Sequence, residues 1–375
     1  MNPIEVPLAQ MAQLGPTDYW NDSCAVAEVD YAVERGASGA TSNPSIAVEV
    51  LGKEREHWLP RILALAEANR TWSEVDLAWA VYEEMAARSA ARLSPVFQRE
   101  AGRSGWQAIQ TDPASYRDPA RMVQQGARFA WLAPNIQVKL PATASGLIAV
   151  EEAASRGINT MATVSFTVAQ AIAAAEAAER GLDRLARCGG DPAKLAPVSV
   201  IMMGRLDDWL KVVVDRDGLS VDPGALNWAG LAVIKRAYAI FRERGYRSRL
   251  LAAAYRHHLH WTELVGGDLG MTIPHAWQVR FNNSGIVPVP RIDVPVAPAV
   301  LSELHRIPDF VRAYEPGGLM PGEFDTYGAT VRTLRSYIAS CHQLQAAVRD
   351  VMLPDPDRPV SPAASGPAVQ ALSRA

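Results

Sequence analysis

Lys139 lies in a stretch of sequence whose pattern is that of a short β-strand. Ile136, Val138 and Leu140 alternate with polar residues, and Pro141 ends the run because proline cannot donate a backbone N–H to a neighbouring strand. An amine in a partly dry pocket beside other cations has a depressed pKa, and its neutral form attacks a ketone to give a Schiff base. The pattern therefore predicts either a catalytic amine at a strand end or a lysine whose amine reaches solvent from a buried stem.

Two further stretches give this lysine a context. The residues Lys139-Leu140-Pro141-Ala142-Thr143, followed by Gly146-Leu147, resemble the K-[IL]-P-A-T-x-x-G-[IL] signature of transaldolases, in which the lysine forms the Schiff base. Earlier in the chain, Thr41-Ser42-Asn43-Pro44-Ser45-Ile46 is similar to the T-[TS]-N-P-S-[IL] signature of the same family. The two signatures occur in the family's order.

The resemblance implies roles for residues at the ends of the first two predicted strands. Asp22 follows the run Tyr19-Trp20-Asn21, and in transaldolases the aspartate that ends the first strand is an acid/base group. The family's asparagine binds the ketose at the end of the second strand, so Asn43, with Thr41, is predicted to bind substrate. The alternative for Asp22 and Asn43 is that each caps the helix that follows, and Asn43 also suits a turn.

Two arginines follow the sixth and seventh predicted strands, where guanidinium groups could hold a phosphate bidentately. Gly204-Arg205-Leu206-Asp207-Asp208-Trp209 resembles the transaldolase motif G-R-[IL]-x-D-W, and Ala254-Tyr255-Arg256 resembles S-F-R. In the family both arginines hold the substrate phosphate, which predicts that role for Arg205 and Arg256. The alternative for Arg205 is a local ion pair with Asp207 or Asp208.

Several positions depart from the family pattern. Gln110 stands where transaldolases have the glutamate that activates the catalytic water, although the related fructose-6-phosphate aldolases also have glutamine there. An amide cannot act as a base, so we expect Gln110 and Thr163 to hold a water rather than to deprotonate it. Met161 replaces an asparagine, although Asn159 lies two residues away on the same predicted strand face. Polar contacts to the sugar are also absent where the chain has Val200, Met202 and Ala254.

The order of predicted elements indicates the fold class. Eight short strands alternate with helices, which is the count of an α/β protein of the (β/α)8 TIM-barrel type. We expect an N-terminal arm over residues 1–16, the barrel over 17–285, a helical insertion after the second strand at about 53–104, a connector with C-terminal helices over 286–353, and a disordered tail over 354–375. The insertion is expected either to pack on the barrel's flank or to form an oligomer contact.

Two longer helices are predicted within this outline. One covers residues 222–244, and the other runs from residue 324 or 325 to 351. The second is expected to cover the barrel or its active site.

Composition and charge exclude several classes of function. Hydrophobic residues make up 49% of the chain and charged residues 21%, and the net charge of −3 gives no footprint for nucleic acid or for an acidic membrane surface. The three cysteines are far apart, which argues against a disulfide framework and a zinc site. With no leader-like segment and no long apolar run, the expected setting is the cytoplasm.

A histidine cluster follows the seventh predicted strand. His257, His258 and His260 would bind a metal only with convergent geometry, and the favoured interpretation places one at the pocket mouth and the others on a helix face. We therefore expect neither a metal nor a cofactor.

The resemblance implies the transfer of a three-carbon dihydroxyacetone unit from a phosphorylated ketose to an aldose. Lys139 would attack the ketone, Asp22 would shuttle the protons that break the C3–C4 bond, and the enamine would add to the acceptor aldehyde. Two rivals stay open at this point. One is an aldolase that releases dihydroxyacetone by hydrolysis, or a specialised transaldolase-like enzyme that acts on a different phosphorylated ketose. The other is a catalytically silent phosphosugar-binding barrel.

Overall fold

A closed barrel of eight parallel strands, paired in chain order, forms the centre of the molecule. A computed structural model describes residues 5–357. Helices lie between the strands, so the predicted (β/α)8 fold is confirmed. The strands are buried on both faces, as parallel strands covered by helices are. They are β1 Asp18–Asn21, β2 Gly39–Thr41, β3 Trp106–Gln110, β4 Ile136–Pro141, β5 Thr160–Thr163, β6 Val198–Met202, β7 Arg249–Ala253 and β8 Leu269–Ile273.

Sixteen α-helices accompany these strands in the described part of the chain. They are α1 Pro7–Gln13, α2 Val26–Val33, α3 Pro44–Lys53, α4 Arg55–Ala68, α5 Glu74–Arg99, α6 Pro119–Ala130, α7 Ala144–Ser155, α8 Val168–Arg187, α9 Met203–Asp217, α10 Pro223–Leu226, α11 Ala229–Arg244, α12 Leu259–Thr262, α13 His275–Asn282, α14 Pro298–Leu304, α15 Pro308–Tyr314 and α16 Gly328–Met352. Short 3-10 turns lie at Pro113–Ser115, Pro192–Lys194 and Pro321–Thr326. None of these helices is long and apolar enough to cross a membrane.

The predicted helix over residues 222–244 is wrong in one respect, because the structure divides it. Asp222 accepts a hydrogen bond from the backbone N–H of Gly224, so the short α10 begins with its own cap. The chain leaves helical geometry after Leu226, and α11 begins at Ala229. Helix α9 was not expected from the sequence, because it starts directly from β6 without a capping side chain that would mark its first residue.

The helical segment at about 53–104 packs on the barrel, with α5 lying against β3 and α2. The long helix α16 crosses this region, where it contacts α3, α4 and α5, and it also reaches α9 on the other side of the barrel mouth. Helices α14 and α15 precede it and pack on α10 and α11. Of the predicted tail, residues 354–357 follow α16 without helix or strand, and residues 358–375 lie outside the described part of the chain.

The N-terminal end of the barrel is filled by one aromatic ring and an ion-pair cluster. The ring of Trp20 lies against β2 and β8, where Gly39 and Gly270 leave room for it. Asp18 pairs with Arg249 at 2.9 Å, and Arg249 pairs with Asp268 at 2.7 Å. The opposite, C-terminal ends of the strands are therefore left to form a site.

The fit between Gly39 and Trp20 predicts an effect on stability. A Cβ at residue 39 would lie 2.5 Å from the Trp20 ring, so Gly39→Ala should lower the free energy of unfolding by about 1 to 3 kcal/mol. Gly52, inside α3 with open space around it, is the matched control, and Gly52→Ala should raise stability by about 0.5 to 1 kcal/mol. Urea denaturation measures both values, and equal effects of the two changes would contradict the packing argument.

Candidate active site

Lys139 lies in the barrel wall near the C-terminal end of β4, as the sequence predicts. Its side chain is 5% exposed, and Nζ donates a hydrogen bond to the carbonyl oxygen of Ser42 at 3.2 Å. Strand pairing places Gln110 of β3 on one side of Lys139 and Met161 of β5 on the other. No carboxylate within the described residues forms an ion pair with this amine, whose one hydrogen bond there is to a backbone carbonyl.

Asp22 follows β1 and faces the same space. Its Oδ1 accepts a hydrogen bond from Oγ1 of Thr41 at 2.7 Å, and Thr41 in turn lies 2.5 Å from Oγ1 of Thr272. Helix α2 begins at Val26 and has no side-chain cap, so the alternative that Asp22 caps this helix is wrong. Through this hydrogen bond, Thr41 orients the Asp22 carboxylate.

Burial and charge shift the titration of both groups. Burial lowers the pKa of Lys139 to about 8, with the nearby Arg205 acting in the same direction and Asp22 opposing it. Burial also raises the pKa of Asp22, against the opposing influence of Lys139, the Thr41 hydrogen bond and Arg205. Burial therefore disfavours the charged form of both groups, the ammonium of Lys139 and the carboxylate of Asp22.

Asn43 is the N-cap of α3, as the alternative interpretation of the sequence holds. Its Oδ1 accepts from the backbone N–H groups of Ser45 at 2.9 Å and Ile46 at 3.1 Å. The amide nitrogen has no hydrogen-bond partner among the described residues and is free to donate to a ligand. Capping fixes the Asn43 side chain through its oxygen and leaves its nitrogen unused, so helix capping and the predicted substrate binding are compatible.

The two arginines differ in their surroundings. Arg205 belongs to the first turn of α9, and its guanidinium lies 4.9 Å from the ring centroid of Tyr337. No carboxylate within residues 5–357 forms an ion pair with Arg205, so the predicted alternative of a local pair is wrong. Asp208 instead holds Arg256, with an NH2-to-Oδ2 distance of 2.6 Å. Any anion that binds Arg256 must share it with this carboxylate.

Gln110 and Thr163 both lie at the barrel's C-terminal end and are almost fully buried. Oε1 of Gln110 has no hydrogen-bond partner among the described groups, which is costly for a buried amide. Asn159 does not replace the amide missing at Met161. It precedes β5, at the opposite end of the strand from Thr163, and its Oδ1 accepts from the backbone N–H of Ala196.

Asp207 organises two of the three histidines. Its Oδ2 lies 2.9 Å from Nε2 of His260 and 3.8 Å from Nε2 of His257, and its Oδ1 accepts from the backbone N–H of Gly230. The backbone N–H of Arg256 donates to Nδ1 of His260, which leaves the ring proton on Nε2, facing Asp207. By distance alone, the cluster could hold a metal ion. The hydrogen bond to Nδ1 of His260, however, leaves the ring proton on Nε2, and a protonated nitrogen cannot bind a metal.

The histidines therefore do not follow the predicted arrangement. His260 is fully buried and lies on the short α12, whereas His258 is exposed. The sequence predicts that the terminal helix covers the barrel or its active site, but it does not single out Tyr337, because α16 follows the barrel strands by more than fifty residues. Only the packing of α16 across the barrel mouth brings this ring to Arg205.

The buried His260 predicts a pH dependence of stability. Burial lowers its pKa below the ordinary value of 6.5 although Asp207 opposes the shift. As pH falls through about 6.5, the unfolded chain binds a proton at this residue before the folded chain does, so the free energy of unfolding should decrease. His260→Gln should remove up to about 1.4 kcal/mol per pH unit of this dependence between pH 7 and 5, measured by denaturation. The exposed His258 is the control, and an equal change of slope in His258→Gln would contradict the assignment.

Comparison with known proteins identifies the family of the chain. A family model described as Transaldolase/Fructose-6-phosphate aldolase matches residues 19–306. A protein named Transaldolase from Thiobacillus denitrificans is 29% identical over 299 residues, which cover 73% of this chain and 82% of the relative. Another named Transaldolase, from Parafrankia sp., is 26% identical over 342 residues, with 82% of this chain and 89% of the relative covered. The chain therefore belongs to the transaldolase/fructose-6-phosphate aldolase family.

Proposed function

We propose that the protein transfers a three-carbon dihydroxyacetone unit from a phosphorylated ketose to an aldose phosphate through a Schiff base on Lys139. The observation that carries the proposal is the buried amine of Lys139, whose pKa is lowered to about 8 in a site that also holds Asp22 and Arg205. A neutral amine is the nucleophile that Schiff-base formation requires. Membership in the family supports the same chemistry.

The reaction begins when Nζ of Lys139 attacks the ketone carbon, and loss of water leaves the protonated imine. Asp22 then takes the proton of the C4 hydroxyl, the C3–C4 bond breaks, and its electrons pass into the imine to give an enamine and a free aldehyde. The enamine attacks the carbonyl carbon of a second aldehyde while Asp22 returns a proton to the new hydroxyl. Water finally hydrolyses the imine and restores the amine.

The water used in these steps needs a holder rather than a strong base. Gln110 is adjacent to Lys139 through strand pairing and has an unused amide oxygen, and Thr163 ends the neighbouring strand β5. Both groups can hydrogen-bond a water, and neither removes its proton. In this proposal, proton transfer therefore depends on Asp22, whose carboxylate is oriented by Thr41.

The phosphate of the substrate is assigned to the two arginines, with Arg205 as the main contact. Arg205 has no competing carboxylate in the described structure, whereas Arg256 is held by Asp208. Asn43 completes the site on the other side of the barrel with its unpaired amide nitrogen. A ligand that spans Lys139 and Arg205 must therefore combine a carbonyl and an anionic group.

Gln110 also supports a second candidate, an aldolase that releases dihydroxyacetone by hydrolysis. The chain has an amide where the sequence pattern of transaldolases has a carboxylate, and fructose-6-phosphate aldolases share that amide. The two candidates differ in what happens without an acceptor aldehyde. A transaldolase retains the three-carbon unit on Lys139, whereas the aldolase releases it continuously.

Borohydride trapping tests the Schiff base directly. Incubation with fructose 6-phosphate and borohydride should add the mass of the reduced sugar or its three-carbon fragment to the wild-type chain, because borohydride reduces the imine to a stable amine. Lys139→Arg keeps the positive charge but should take up no mass, as intact-mass spectrometry would show. Lys211→Arg, at an exposed position of α9, is the control and should trap normally. Equal trapping by Lys139→Arg would refute the assignment, and no trapping with any ketose phosphate would favour the silent barrel.

The pKa of Lys139 predicts the pH profile of the reaction. Because the free enzyme must carry a neutral amine to attack the ketone, kcat/KM should rise with pH and level off above an apparent pKa of about 8. Steady-state assays between pH 6 and 10 would show this limb. Arg205→Gln removes a neighbouring positive charge and should move the limb to higher pH, whereas a limb that stays in place would argue that Arg205 does not act on the amine.

A further inference from the structure

Two buried tyrosines differ from the other buried tyrosines of the described structure. Tyr255 is 2% exposed, and its buried hydroxyl has no hydrogen-bond partner among the described groups. Tyr337 is 1% exposed, and the side-chain contact that the described structure gives it is that of its ring with Arg205. Elsewhere in residues 5–357, the buried tyrosines use their hydroxyls in hydrogen bonds, as seen for Tyr19, Tyr82, Tyr238 and Tyr327. A buried hydroxyl without a partner is costly, so that of Tyr255 is placed to meet something other than the protein itself.

The position of Tyr255 depends on a strained backbone. Tyr255 is the second residue after β7, and Ala254 before it has a φ of +65°, a left-handed conformation that favours glycine. The carbonyl oxygen of Ala254 accepts from the N–H of Gly204 at 2.9 Å, and a Cβ on Gly204 would lie 2.1 Å from that oxygen. The ring of Tyr255 packs edge-on against Phe281, with centroids 6.1 Å apart. Backbone and ring contacts thus position the Tyr255 side chain just beyond the C-terminal end of β7.

Tyr337 reaches the same mouth from α16. The guanidinium of Arg205 lies 4.9 Å from its ring centroid, so the ring of Tyr337 contacts the cation assigned to the substrate phosphate. Burial raises the pKa of both phenols, and the charge of Asp22 acts on each of them in the same direction. Both hydroxyls therefore keep their protons at neutral pH and remain hydrogen-bond donors near Asp22.

We propose that the hydroxyls of Tyr255 and Tyr337 bind the carbon-chain hydroxyl groups of a phosphorylated ketose that spans Lys139 and Arg205, and so determine which ketose is accepted. The inference rests on the proposed function and extends it to two further residues. It also accounts for the apolar side chains at Met161, Val200 and Met202. The polar contacts that these strand residues lack come instead from Tyr255, after β7, and from Tyr337 on α16. The two phenols therefore select the substrate by hydrogen bonds to the hydroxyl groups of its carbon chain.

Binding of a carbonyl-free analogue tests this inference without requiring catalysis. Glucitol 6-phosphate carries the hydroxyls and the phosphate but cannot form a Schiff base. Tyr255→Phe and Tyr337→Phe keep the rings that pack on Phe281 and Arg205 and remove only the hydroxyls. Each change should weaken glucitol 6-phosphate binding by about three- to tenfold in calorimetry, and leave inorganic phosphate within about twofold of wild type.

Stability separates a binding role from a structural one. The Tyr255 hydroxyl has no protein partner to lose, and the Tyr337 ring keeps its contact with Arg205, so the two phenylalanine variants should unfold at the same or a higher denaturant concentration than wild type. Tyr238→Phe is the matched control, because its hydroxyl accepts from the backbone N–H of Asp268. It should lower stability and leave glucitol 6-phosphate binding unchanged.

Two outcomes would overturn the inference: unchanged glucitol 6-phosphate affinity in both variants, or an equal loss of affinity for inorganic phosphate. Borohydride trapping keeps this failure distinct from failure of the proposed function. If wild type traps a ketose on Lys139 and the phenylalanine variants bind glucitol 6-phosphate normally, only the role of the tyrosines is refuted. If wild type traps nothing but the variants lose affinity for the analogue, the binding role stands and the Schiff-base chemistry fails.

Discussion

The burial of one amine is the constraint on which the rest of this site depends. An ammonium group in the barrel wall loses its hydration, and the only hydrogen bond that the described protein returns to Lys139 is to a backbone carbonyl. Asp22 offsets part of this cost from beyond contact distance, while Arg205 adds to it. A direct ion pair would stabilise the charged form of the amine further. Within the described residues, the Asp22 carboxylate forms no such pair with Lys139, so burial lowers the pKa of the amine with only partial opposition.

Much of this arrangement follows from local sequence. The alternation around Lys139 and the strand–helix order predict the barrel and the positions of the residues at its strand ends. The N-cap of α3 is equally local, because Asn43 before a proline marks a helix start. Such features depend on residues close together in the chain, and period and capping rules describe them well.

Other features depend on contacts that no local pattern contains. The pairing of Asp208 with Arg256 joins the start of α9 to the end of β7, and a sequence offers no way to choose between Asp207 and Asp208 as partners. Tyr337 reaches Arg205 only because α16 packs across the barrel from α5 to α9. Asn159 precedes β5, far from the C-terminal end where Thr163 lies. Strand periodicity predicts the face on which such a residue lies but not the end of the strand.

Because the N-terminal end of the barrel is filled, the candidate active site opens only at the C-terminal ends of the strands. Trp20 and the pairs of Asp18, Arg249 and Asp268 close the N-terminal side, so every molecule enters and leaves past the strand ends that α16 borders. For the proposed transfer, this means that the first aldehyde must leave by the route that the second uses. In that proposal, the shape of the barrel sets the order in which the two aldehydes occupy the site, before any affinity for one sugar over another is considered.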